Sequence, residues 1–170
     1  MADGKIRVKS EAEYTIEVND NGDTIVFDLT DTSLASKMVK TFEKINDLTT
    51  KYQERAKEIG SQPDVALFDI PTNENDESGN PIKISVTQNQ RDGYEMLENL
   101  YKESRETLDL FLGKGACQKI FGDKNYYAMF SDLTDQLKPH FEKMGLNAQN
   151  IKANAINKYS PNRESRRSLK

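Results

Sequence analysis

The sequence predicts an α+β fold: an N-terminal β-hairpin, with a second one further on, packed on a bundle of about three main amphipathic helices and followed by a flexible basic C-terminal tail. Near the N-terminus, short stretches place an apolar residue at every second position, the period of half-buried strands. Further on, three long stretches place apolar residues every third or fourth position, the period of amphipathic helices. Glycines sit just past those helical stretches, where a chain leaving a helix needs positive φ. The 170 residues suit about one domain with a short arm.

The first strand signals lie in residues 5–29. Ile6 and Val8 alternate with Lys5, Arg7 and Lys9, then Tyr14, Ile16 and Val18 share one face, then Ile25, Phe27 and Leu29. Asn19-Asp20-Asn21-Gly22-Asp23 separates the last two runs, and Asn, Asp and Gly tolerate the positive φ of a tight hairpin turn. Thr30-Asp31-Thr32-Ser33 supplies N-cap candidates for a long helix over 32–59. Its stripe is Leu34, Met38, Phe42, Ile45, Leu48, Tyr52, Ala56 and Ile59, and it is expected to stop at Gly60. Such a helix is about 42 Å long, which is long for a small domain and leaves part of its apolar face for a neighbour.

Residues 61–88 predict a second hairpin. Val65–Ile70 and Ile82–Val86 are short apolar runs on either side of a polar, breaker-rich tip over 73–81. The helical part covers 90–146. A helix from Arg91 to Leu112 carries Tyr94, Leu97, Tyr101, Leu108, Phe111 and Leu112 and ends at Gly113-Lys114-Gly115. A short helix, Ala116–Phe121, ends at Gly122. A third main helix, about Tyr126 to Met144, carries Phe130, Leu133, Leu137 and Phe141 and is expected to kink or split near Lys138, because Pro139 lies inside it. Residues 1–146 are thus expected to form one α+β domain. Residues 147–170 form a basic, partly disordered tail with a weak helix around Ile151 and Ile156.

Composition narrows the function classes. Apolar residues make up 35% and charged residues 31%, with no Trp, so the core must come from narrow stripes and some faces await a partner. No run approaches the roughly 18 apolar residues of a membrane span, and Met1–Ser10 has no apolar segment of a secretory signal. Cys117 is the one cysteine, which fits a reducing, cytoplasmic setting. The net charge of −4 is uneven: residues 151–170 carry +5, leaving −9 on the rest. A dipolar chain of this kind suits head-to-tail contact between copies or docking on an acidic partner.

Candidate chemistry is sparse. Glu17, Asn19, Asn21, Gly22 and Asp28 approach a calcium-loop spacing, but the ends are the wrong residues and the flanks alternate like strands, so a hairpin turn is the better reading. Gly113-Lys114-Gly115 lacks the spacing of a phosphate loop and reads as a helix end. His140 is the one histidine and has no nucleophile motif near it, Cys117 reads as a small core residue, and Asp69, Glu74, Asp76 and Glu77 read as a solvated loop. No catalytic residue, metal ligand or cofactor is expected. Arg163, Arg166 and Arg167 could touch phosphates, but beside an acidic body a protein-binding or merely solvated tail is the better reading.

The stretch Leu108-Asp109-Leu110-Phe111-Leu112-Gly113-Lys114-Gly115-Ala116-Cys117-Gln118-Lys119-Ile120-Phe121-Gly122-Asp123 joins an amphipathic helix, a glycine pair, a short helix and an Ile-Phe-Gly turn. With Phe130, Leu133, Leu137 and Pro139 after it, and the ending Asn162-Arg163-Glu164-Ser165-Arg166-Arg167, it resembles the tail assembly chaperones of long-tailed phages and prophages of Gram-positive bacteria. The matching patterns cover about residues 91–167 and are soft arrangements of apolar residues and glycines. The resemblance implies a self-associating, non-enzymatic chaperone that coats a long helical tape-measure protein and helps recruit tail-tube subunits. Phe42, Ile45, Tyr52, Phe130 and Leu137 would then cover the client's apolar side, and the basic tail would help copies align. Two rival expectations are a structural tail or connector component and a small nucleic-acid-binding regulator that uses the basic tail.

Overall fold

The computed structural model describes residues 12–126 and 128–146. The α+β class holds, with two antiparallel strand pairs and four helices among the described residues. The expected strand over 5–9, the weak helix after 147 and the three tail arginines lie outside the described residues. Where the sequence suggests one body over 1–146, the chain groups into two compact units: residues up to Val39 with those from Leu112 onward, and Lys40–Phe111.

In the first unit, β1 (Glu13–Glu17) pairs antiparallel with β2 (Thr24–Asp28), placing Tyr14 opposite Phe27 and Ile16 opposite Ile25. The alternation works as expected: Ile16, Ile25 and Phe27 are buried while Val26 faces out. Asn19 organises the turn. Its Oδ1 accepts from the amides of Asn21 and Asp23, its Nδ2 donates to Asp23 Oδ2, and Gly22 takes φ 79°. That geometry, on paired strands, is incompatible with a helix-flanked calcium loop.

The next helix, α1 (Leu34–Ser61), starts under Asp31. The Asp31 backbone carbonyl accepts from the Leu34 amide and its carboxylate accepts from the Ser33 amide and hydroxyl, with Lys37 Nζ 2.6 Å away. These charge-assisted bonds, Lys37 first, hold the Asp31 carboxyl at about 2. Leu34 and Met38 are buried. Later in the chain, α3 (Ala116–Phe121) and α4 (Met129–Lys143) complete the unit. Gly113 (φ 104°) and Gly115 (φ 77°) take the left-handed backbone that separates α3 from the preceding helix, which is the helix-ending role rather than a phosphate loop. The core here includes Ala116, Cys117, Met129, Leu133 and Leu137, with Met129 at 0% exposure.

Two expectations about α4 change. It starts at Met129, three residues later than Tyr126, and it is not split at Pro139. Asp135, whose carbonyl loses its helical partner to the proline, lies on the exposed side, so water can replace the missing amide. Gly145 then ends the helix in a Schellman arrangement: φ 70°, Gly145 N donating to Glu142 O and Leu146 N to Phe141 O.

The second unit holds the rest of α1, strands β3 (Ala66–Asn75) and β4 (Pro81–Thr87), and α2 (Gln88–Leu112) up to Phe111. Helix α1 runs through Gly60 instead of stopping there; Ser61 Oγ donates to the Glu58 carbonyl and satisfies one group of the frayed end. The α1 and α2 segments are joined by Tyr52 OH donating to Glu103 Oε1 and by the Lys51–Glu103 ion pair at 2.9 Å. At the hairpin base, the Asn89 amide donates to Asp64 Oδ1, Asn89 Nδ2 to the Gln62 carbonyl and the Gln88 amide to the Val65 carbonyl.

The strands of the second hairpin are longer than the apolar runs 65–70 and 82–86 that predict it. Asp76 ties the tip: its Oδ1 accepts from the amides of Ser78 and Asn80, its carbonyl accepts from Gly79 N, and Gly79 takes φ 82°. These backbone bonds, led by the one from Asn80, hold the Asp76 carboxyl below its usual range. Within 73–81, β3 runs on to Asn75 and β4 starts at Pro81, with the turn between them. In α2 the stripe is buried at its C-terminal end, at Leu108, Phe111 and Leu112, whereas Tyr94 and Leu97 face solvent.

Candidate protein-binding surfaces

In the first unit, Ile16 and Val18 from the hairpin, Ile120 from α3, and Leu133 and Leu137 from α4 line a groove of about 250 Å³. Glu17, Gln136 and His140 supply its polar rim. Two interactions hold the walls. The Tyr14 hydroxyl lies 2.9 Å from His140 Nδ1, with the rings edge-on at 5.8 Å. Lys119 grips the hairpin twice: its carbonyl accepts from Asn19 Nδ2 and its Nζ donates to the Thr24 carbonyl. The hairpin turn predicted from Asn19–Asp23 thus also docks α3, a long-range role that local spacing cannot reveal.

An apolar floor with a polar rim is suited to receiving one large apolar side chain of a partner helix. Its ionisable lining side chains are one carboxylate, Glu17, and one imidazole, His140. Cys117 is buried in α3, the position of a small core residue. Among the described residues, no group of three or more His, Cys, Asp and Glu is placed to hold a metal ion. The loop carboxylates serve separately, Asp69 accepting from Ser85 Oγ and Asp76 capping the turn.

In the second unit the notable surface is one face of the β3–β4 hairpin. The register sets Phe68 opposite Val86 and Ile70 opposite Ile84, with Asp69–Ser85 and Pro71–Lys83 on the other face. Phe68, Ile70, Ile82 and Ile84 are exposed by 56%, 47%, 42% and 57%, so the apolar face of this hairpin is uncovered. A polar hollow on the same unit, lined by Lys51, Tyr52, Arg55, Asp92 and Glu103 among others, is organised by ion pairing. Lys51 and Tyr52 hold the Glu103 carboxyl below its ordinary range, and burial, then Glu103, pushes the Tyr52 phenol up.

The residues singled out for partner binding divide between the units. Phe42, Ile45 and Tyr52 lie on α1 in the second unit; Phe130 and Leu137 lie on α4 in the first. Phe42 and Ile45 are half-buried, while Tyr52 is buried and bonded to Glu103. Leu137 is buried at the groove floor, and Phe130 meets Phe121 edge-on at 6.0 Å. The uncovered hairpin face was absent from the expected partner residues: its alternation is visible in sequence, but alternation says which residues share a face and not whether that face is covered.

Among the described residues, no helix is long and apolar enough to cross a membrane. No curated protein and no solved structure matches the chain. A family model does match, over residues 21–170, from the turn of the first hairpin to the basic tail. The chain belongs to DUF6673, a family of unknown function.

Proposed function

We propose that this chain is a non-enzymatic assembly chaperone of a long-tailed phage or prophage. It binds the long amphipathic helix of a tape-measure protein in the bacterial cytoplasm, self-associates along it, and helps recruit tail-tube subunits. The observation that carries this reading is the first-unit groove. Its floor of Ile16, Ile120, Leu133 and Leu137 and its rim of Glu17, Gln136 and His140 have the size and polarity to take a Leu or Phe side chain from such a helix. Ile120, Leu133 and Leu137 also fall in the stretch whose glycines and apolar residues resemble the phage chaperones. The groove and the resemblance therefore support the reading through the same residues.

The test is capture of the tagged full chain from cells expressing its neighbouring genes, with partners identified by mass spectrometry. A very long, helix-rich protein recovered together with a tube subunit is the expected result. Ile120→Glu, at the half-buried edge of the groove, should lose the helical protein while leaving the thermal transition in place. Recovery of nucleic acid, or of no partner, would sink the proposal. Retention of the chain in finished particles would make it a structural tail component.

A further inference from the structure

We infer that the outward face of the β1–β2 hairpin is a docking surface for this chain's own basic C-terminal segment, residues 151–170, which there covers Glu17 at the rim of the groove and competes with the client. The competition rests on the groove reading proposed above; the docking does not.

The face is acidic and has no base of its own. Seven acidic residues and no Lys or Arg lie between Lys9 and Lys37. The register turns Tyr14, Ile16, Ile25 and Phe27 to one side, so the other side shows Glu13 opposite Asp28, Thr15 opposite Val26 and Glu17 opposite Thr24. Val26 is 49% exposed in the middle of this face, and Glu13, Glu17 and Asp28 are exposed around it. Glu13 and Asp28 are like charges directly opposite each other on paired strands, an arrangement that costs stability and favours a cation over it. Asp28 also accepts from the Thr30 amide and hydroxyl, bonds that leave its negative charge in place. Lys37 is paired with Asp31, and Lys119 meets the hairpin at a backbone carbonyl, that of Thr24. Neither Glu13 nor Glu17 has an ion pair among the described residues.

Charge and tether select the occupant. Residues 151–170 carry +5, the most basic stretch of the chain. An arginine stem covers an exposed apolar side chain such as Val26 while its guanidinium reaches a carboxylate beside it. The segment is also tethered next to this face. Leu146, the last described residue, lines one hollow with Leu29, and Leu29 directly follows the end of β2 at Asp28. Arg163 lies seventeen residues beyond Leu146, a reach of up to about 56 Å, against about 17 Å for a five-residue strand. Tethering at that length gives an effective concentration on the order of millimolar, so a weak contact is filled within one chain before a second copy competes for it.

The strength suits a displaceable cover. Surface ion pairs are individually weak and are screened by salt over a Debye length of about 8 Å at physiological ionic strength. Glu17 belongs both to this face and to the groove rim, so a client entering the groove meets the basic segment there and must displace it.

The experiment is zero-length carbodiimide cross-linking of the full chain, which joins a carboxylate to a lysine only in direct contact, beside Arg163→Glu/Arg166→Glu/Arg167→Glu. That triple variant reverses the sign of the segment's charge, keeps Lys152, Lys158 and Lys170, and touches none of the described residues. A circular dichroism melt verifies that its fold is kept. In the monomer band of the wild type, mass spectrometry should find Glu13 or Glu17 joined to Lys158 or Lys170. The triple variant, and the wild type in about 0.5 M salt, should lose these links by roughly fivefold or more. Fluorescence anisotropy with a labelled, uncharged helical peptide, leucine-striped and otherwise glutamine, then reads the groove. The triple variant should bind it several-fold tighter than the wild type. Links confined to dimers would overturn the inference in favour of a contact between copies. Absence of these links, or links indifferent to the triple variant, would overturn it too and return the arginines to nucleic acid or another partner. Equal peptide affinity for the two proteins would overturn the competition. A peptide that binds neither protein would sink the groove reading and leave the cross-links to decide the docking alone.

Discussion

Truncation of Met129 to alanine tests whether α4 is the keystone of the first unit. Met129 has 0% exposure. The substitution deletes Cγ, Sδ and Cε, which at ~0.8 kcal/mol per buried methylene equivalent is about 2.4 kcal/mol of transfer free energy. Incomplete collapse around the gap adds a cavity cost, so the total is about 3 to 4 kcal/mol. For a chain of this size, each kcal/mol lowers Tm by about 2–4 °C, so the transition should fall by roughly 10 °C. Ile84→Ala is the matched control, because Ile84 is 57% exposed on the open hairpin face. It should cost under ~1 kcal/mol. Urea and thermal unfolding of the three proteins, followed by circular dichroism, give both differences. A loss below ~1 kcal/mol for Met129→Ala, or equal losses for the two variants, would refute the assignment of a core around α4 and an uncovered hairpin.

Two further outcomes follow from local geometry. Gly145→Ala places a Cβ at φ 70° in the turn that closes α4, and it should cost about 1 kcal/mol in urea unfolding; a neutral effect would mean the Schellman turn is not retained in solution. Asp31 has a folded pKa of about 2 against an ordinary value of 3.8, so its contribution is complete above the higher value and is lost as pH falls through the lower one. Asp31→Asn should therefore show a flatter fall of Tm below about pH 4 than the wild type, and parallel profiles would count against the Lys37 and Ser33 contacts.

Local pattern determined much of this protein. The hairpin around Asn19–Asp23, the ends of α3, the stop at Gly113 and the Gly145 closure were legible because each depends on residues within one or two turns of chain. Pattern also located the α1 stripe, where Met38, Tyr52 and Ile59 are buried at the expected spacing. It stopped α1 before Gly60, where the helix runs on to Ser61, and it placed the second hairpin's turn correctly but drew its tip wide, since β3 runs on to Asn75 before Asp76 ties the turn. Pro139 sits inside an unsplit α4 because its orphaned carbonyl faces water, and exposure is not a property of the local sequence. The groove was beyond the reach of sequence for a related reason. Its floor joins residues 16, 120, 133 and 137, and only the tertiary fold decides that Lys119 meets the first hairpin and His140 meets Tyr14. Likewise, the alternation in β3 and β4 defines an apolar face, but whether that face is buried depends on what the fold sets beside it. Periodicity fixes which side chains stand together, because backbone geometry is local; coverage is decided by long-range packing, and in this chain that packing buries the first hairpin and leaves the second open.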